Sequence, residues 1–163
     1  MIQTGEIPVN LTSHNFSAPC PDFLELFNVH PRVQDAIRHS IGLMFNDKSY
    51  DRSVKPDHLL YIEHLTCNSF SEKDAWLFQY MPNIKYLYIS GSLLSSTKHF
   101  EHLTQLVHLD LSDTNVYDLS PLRLLSRLSY LDVERTRVLS SKGLEGVIDT
   151  YLDEGSWASQ RAE

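Results

Sequence analysis

The chain has 163 residues, a length that suits one domain built on one continuous core. Hydrophobic residues make up 42% and charged residues 21%, ordinary for a soluble globular protein, and no run approaches the roughly 20 apolar residues that a bilayer span needs. The formal net charge of -7 argues against a nucleic-acid phosphate backbone as ligand, since that takes clustered Lys and Arg, and it fits a basic partner.

Residues 1–20 are polar and aperiodic, and are expected to be loose or to lie along the surface. They lack a basic stretch followed by an apolar run, so no signal peptide is read there, and a cytoplasmic location is expected. The triplets Asn10-Leu11-Thr12 and Asn15-Phe16-Ser17 match the glycosylation sequon and, without a secretion signal, are read as chance. Cys20 and Cys67 form neither a CxxC pair nor a metal-ligand spacing. Whether they pair is left open by the sequence. Next, Val33, Ala36, Ile37, Ile41 and Met44 recur at helical spacing behind Pro31, a suitable first helical residue, with Gly42 as a weak point. Asn46 to Asp57 reads as a polar connection.

From Ile62 the chain repeats every 22 residues. The third unit carries Leu106, Leu109, Leu111, Thr114, Val116, Leu119, Leu122 and Leu125. The fourth carries Leu128, Leu131, Val133, Thr136, Val138, Ser141, Leu144 and Val147 at the same offsets. The second carries Ile84, Leu87, Ile89, Ser92, Leu94, Thr97, Phe100 and Leu103, and the first Ile62, Leu65, Cys67, Phe70, Glu72, Ala75, Phe78 and Met81. The first three and last two columns are apolar throughout. The LxL alternation predicts a short strand with its leucines inward. Pro121 suits the start of a helical turn on the return path. No unit can bury its apolar edge alone, so the units must stack. Leu144, Val147, Ile148, Tyr151 and Leu152 keep helical spacing, with Gly155 as a stop, and residues after Trp157 look like a tail.

This pattern resembles the leucine-rich-repeat family, in the short bacterial class found in internalins; Asp118-Leu119-Ser120-Pro121-Leu122 carries that likeness together with the repeat length. The resemblance covers roughly half the chain. It implies an α/β leucine-rich-repeat solenoid, with a short parallel sheet on its concave face and helical caps at both ends. Residues 1–61 would form the N-terminal segment and cap, and 62–147 the four repeats (62–83, 84–105, 106–127, 128–149). Residues 144–163 would form the C-terminal cap helix and tail, all in a single domain. One departure concerns the column where the family usually has Asn. Here it reads Phe70, Ser92, Thr114, Thr136. A hydroxyl can satisfy loop backbone groups; Phe70 cannot, which puts the regularity of the first repeat in question.

The period of two turns other residues outward, in columns. These are His64, Tyr86, His108, Tyr130; then Thr66, Tyr88, Asp110, Asp132; then Asn68, Ser90, Ser112, Glu134; then Ser69, Gly91, Asp113, Arg135. Tyrosine suits an interface because it offers a large apolar area and a polar tip. Partner-binding candidates are therefore His64, Tyr86, Tyr88, His108, Asp110, Tyr130, Asp132 and Glu134, a face fitted to Arg or Lys beside an apolar patch. The bland alternative is that the aromatics stabilise the sheet and the acids keep it soluble.

No catalytic residues, metal or cofactor are expected. GxSxG, Walker A and GxGxxG patterns are absent. His99 and His102 flank Glu101 at a spacing that could hold a metal, with no further ligand in support. His64, His108 and Asp110 would sit on an open surface with nothing evident to tune them. Nucleic acid and membrane are not expected partners. The reading is a non-enzymatic protein-interaction module. Its alternatives are a small acidic inhibitor (an immunity protein, antitoxin or anti-defence factor) and a bacterial effector aimed at a basic protein.

Overall fold

The computed structural model describes residues 22–45, 54–139, 144 and 149–151. The expectations for residues 1–20, for Ser141 and Val147, and for the tail beyond Trp157 lie outside these residues.

Among the described residues three helices precede the sheet: α1 (Phe23–Leu26), α2 (Pro31–Phe45) and α3 (Pro56–Leu59). Pro31 opens α2, where its missing N–H removes no hydrogen bond and its fixed φ suits the first turn. The helix runs through Gly42 to Phe45 and buries Val33, Ile37 and Ile41 along one stripe. That stripe rests against the first strand. Asp22 ties this region together: it accepts hydrogen bonds from the backbone N–H of Leu24 (2.8 Å) and Val54 (3.0 Å), and it pairs with Arg38 at 2.8 Å. The span read as a polar connection ends earlier than its composition implies, because Val54 is fully buried and Pro56 starts α3.

Among the described residues five three-residue strands form one parallel sheet in chain order: β1 (His64–Thr66), β2 (Tyr86–Tyr88), β3 (His108–Asp110), β4 (Tyr130–Asp132) and β5 (Asp149–Tyr151). The first four stand in 22-residue register, with Leu65, Leu87, Leu109 and Leu131 paired in turn and fully buried. Backbone bonds continue the ladder beyond the strands. Gly91 N–H donates to Ser112 O (2.9 Å) and Asp113 N–H to Glu134 O (2.9 Å), again one repeat apart. A 3-10 turn follows each of the first three strands: Ala75–Tyr80, Lys98–Phe100 and Ser120–Leu124. Pro121 lies in the first turn of the last of these. Between sheet and turns lie the apolar columns, all buried where described. Phe70 stacks on Phe78 (centroids 4.8 Å apart), and Phe78 meets the edge of Phe100 (5.0 Å).

The hydroxyl column does the work expected of it. Thr114 Oγ1 donates to Leu111 O (2.6 Å) and Thr136 Oγ1 to Val133 O (2.7 Å). Ser92 Oγ donates to Cys67 O and accepts from Phe70 N–H, both at 3.2 Å. The second repeat therefore supplies the polar group that Phe70 lacks, and Phe70 itself fills core. The first repeat departs elsewhere too. Where later units bury Leu94, Val116 and Val138, Glu72 is exposed, and its Oε1 accepts from the N–H groups of Ser95 (2.6 Å) and Ser96 (3.2 Å).

The cap helix expected from residue 144 is corrected by β5. Asp149, Thr150 and Tyr151 pair with Tyr130, Leu131 and Asp132, so the step is 19 residues and not 22. The free edge of β4 offers a row of backbone donors and acceptors that a further strand satisfies and a helix would not. Thr and Tyr are also strand formers. Five apolar residues at helical spacing are too short a series to decide between the two periods.

Candidate protein-binding face

On the side of the sheet away from the leucines, the eight candidate residues fall into place column by column. His64, Tyr86, His108 and Tyr130 lie side by side across β1 to β4, and Tyr88, Asp110 and Asp132 form the neighbouring column. Glu134 follows β4 two residues after Asp132. His64 is exposed; the other seven are partly buried.

The rings do not stand independently. His64 stacks on Tyr86 (4.4 Å, 9° between planes) and His108 on Tyr130 (4.0 Å, 15°). Between these two pairs the spacing opens to 6.3 Å with a 37° tilt, and Tyr88 leans on His108 at 4.8 Å. Stacked rings turn their faces to each other and their edges outward. The cation–π contacts that the alternation invited are thus restricted within the stacked pairs, which offer hydroxyl and imidazole edges. Burial among these rings lowers the His108 pKa, and the nearby carboxylates of Asp110 and Asp132 only partly oppose this.

The acidic side is built by turn chemistry. Asp110 Oδ1 accepts from Ser112 N–H (2.9 Å) and Ser112 Oγ (2.6 Å), and Asp132 Oδ1 accepts from Glu134 N–H (2.9 Å). Each aspartate is held by the residue two further on, as Asx turns do. Asp110 and Asp132 are direct partners across β3 and β4. Neighbouring strands are about 4.8 Å apart, and like charges placed so close are unfavourable. Among the described residues no Lys or Arg forms an ion pair with either one.

Arg135, three residues after Asp132, is engaged with other groups. Its guanidinium grips Asp113 through two bonds (2.6 and 2.7 Å) and reaches Glu134 at 2.8 Å. Sequence reasoning placed Arg135 and Asp113 outward but missed this clasp and the backbone beneath it. Gly91, Asp113 and Arg135, one per repeat, all take positive φ (70°, 57° and 51°). The glycine was the only visible sign, since non-glycine residues enter this region rarely and at a cost.

The other constellations stay apart. His102 Nε2 lies 3.5 Å from Glu101, and among the described residues no three His, Cys, Asp or Glu gather as a metal site. Cys67 is a buried free thiol with Sγ 3.8 Å from Arg32 O, and burial raises its pKa. Cys20 lies outside the described residues.

Three-residue parallel strands, four of them in a 22-residue register and the first three followed by a tight return turn, define a class: a parallel-sheet repeat protein. Residues 60–116 match the family described as leucine rich repeat. Among solved structures, it is similar to internalin C2 from Listeria monocytogenes, with 20% sequence identity and a TM-score of 0.56 over 83% of this chain and 68% of that one. That likeness is one of fold alone. It also matches the internalin InlF from the same organism (17% identity, TM-score 0.43, 83% of this chain and 52% of that one). No curated protein matches the sequence. Leucine-rich-repeat proteins are generally protein-interaction modules and typically not enzymes.

Proposed function

We propose that this chain is a non-enzymatic interaction module whose concave sheet face takes a protein partner through His64, Tyr86, Tyr88, His108, Asp110, Tyr130, Asp132 and Glu134. The observation that carries this reading is the Asp110–Asp132 pair: two partly buried carboxylates in direct register, with no described cation between them. A fold has no structural need for such a pair, since an amide in either place would relieve the repulsion and keep the turn. An arriving Arg or Lys would relieve it instead, while the ring edges of Tyr86 and Tyr88 supply apolar contact and hydroxyls. The partner is then a protein that presents a basic side chain beside an apolar patch. The net charge of -7 adds a second reading within this one, an acidic inhibitor or effector that covers a basic surface, marked by strong salt sensitivity.

The test is affinity capture from native lysate at low and moderate salt, with mass spectrometry of what is retained. A parallel bait carries Tyr86→Ala, Tyr88→Ala, Asp110→Ala and Asp132→Ala, with its fold checked by circular dichroism. The expected outcome is a partner held by the wild type and lost by the variant. A partner retained by the folded variant would move the site off this face.

A further inference from the structure

His108 occupies the centre of the face, and every neighbouring strand turns a titratable group toward it. From β2 come Tyr86 and Tyr88, from β4 Tyr130 and Asp132, and from its own strand Asp110. Lys85, just before β2, is held by Glu63 at 2.8 Å at the start of the strands. We propose that protonation of His108 gates this face: neutral His108 leaves the two aspartates to attract a cationic partner, and imidazolium at the same position offsets them and releases it. The inference rests on the reading of this face as a partner site.

The geometry makes the charge change consequential. His108 lies in contact with Tyr130 on one side and Tyr88 on the other, in ring contacts of 4.0 and 4.8 Å. An imidazolium there gives up part of its hydration, so its field is screened less than that of a surface histidine. It stands in the column next to the paired carboxylates, so one added positive charge offsets one of two negative charges next to the incoming cation. Linkage works in both directions: a bound cation disfavours the imidazolium, so binding expels the proton and acid weakens binding. Histidine ordinarily titrates near 6.5, well above the ordinary range of carboxylates in general. Burial of His108 moves the transition to the acid side of its ordinary position.

The test uses hexa-arginine as the probe, with calorimetric titrations at about pH 7.5 and about pH 5.5. The wild type should bind it about tenfold more weakly at the lower pH, within the usual range for coupled sites. His108→Gln keeps polarity and cannot titrate, so its two affinities should nearly coincide. A variant with the wild-type ratio overturns the gate. Asp110→Asn with Asp132→Asn separates the two ideas: if that protein binds the probe at the higher pH as well as the wild type does, the face reading falls too. No wild-type binding at the higher pH removes both. In the unmodified protein, nuclear magnetic resonance of the His108 ring adds a check that needs no variant. Saturating probe should lower its titration midpoint, and an unmoved midpoint overturns the proposal.

Discussion

Two sets of side chains leave the same three-residue strands, and they obey different rules. Inward, Leu65, Leu87, Leu109 and Leu131 are one residue type, fully buried and stacked one on the next. Outward, the flanking positions run His, Tyr, His, Tyr in one column and Thr, Tyr, Asp, Asp in the other. Burial dictates the inward set, because a cavity or a polar atom there costs several kcal/mol. The outward set answers only to neighbour packing, worth roughly 0.2–1 kcal/mol per pair. That freedom is where a sequence can hold an unfavourable pair such as Asp110 and Asp132 and still fold.

The widest gap between the two sets is expected at β3, where inward and outward residues are adjacent. Leu109→Ala should destabilise the fold by about 3 kcal/mol, as deletion of a central buried leucine generally does. Urea denaturation would measure it. A cost under about 1 kcal/mol would mean that the stack closes around the gap, and that the inward column is less strictly packed than its burial implies. A smaller inward effect is expected from the hydroxyl column. Thr114→Val keeps shape and removes the bond to Leu111 O, at about 1 kcal/mol. The same change at Thr136, which also accepts from Val138 N–H at 3.4 Å, should cost no less.

Outward, Asp110→Asn should change stability by no more than about 0.5 kcal/mol, and in the favourable direction, since the amide oxygen can still accept from Ser112 while the repulsion with Asp132 disappears. Stability and partner binding would then move in opposite directions. A marked loss of stability would make the aspartate structural and weaken the case for this face. Acid gives a related contrast. The lowered His108 pKa means the unfolded chain binds the proton first, so the histidine's contribution to stability is present above about pH 6.5 and declines as pH falls through that value toward the folded pKa. His108→Gln should flatten that part of a stability–pH curve. An unchanged slope would assign it to other histidines.

The inward code was legible in the sequence, because a column repeated at 22-residue intervals and filled with leucine has one structural meaning. The first four strands, their register and the outward columns followed from it. What escaped were features set by contact and not by period. Alternation assigns a ring to a face but says nothing of its plane, so the pairing of His64 with Tyr86 and of His108 with Tyr130 was invisible. Phe70 looked like a defect because its role was judged within its own repeat, whereas Ser92 of the next repeat supplies the missing hydroxyl. At the C-terminal end the apolar spacing fitted a helix, but the edge of β4 decided for β5. No periodicity carries the demand of an open edge.

The smallest effect is expected where outward freedom meets the backbone. Arg135 holds a left-handed conformation that Gly91 takes without penalty two repeats earlier, and its guanidinium clasps Asp113 and Glu134. Arg135→Gly would relieve the backbone and remove the clasp, two opposed changes that nearly cancel. Salt separates them. The clasp lies on the surface and is screened as the Debye length contracts from about 30 Å in 10 mM salt to about 3 Å in 1 M, whereas the backbone preference is indifferent to salt. The variant should therefore match the wild type or fall slightly below it at low ionic strength, and exceed it in melting temperature at high ionic strength. A variant that stays below the wild type at both would assign Arg135 a packing role through its aliphatic stem. A variant above it at both would leave the clasp without a part in stability. Then Arg135 would have to be explained from the partner's side of the face, beside Glu134.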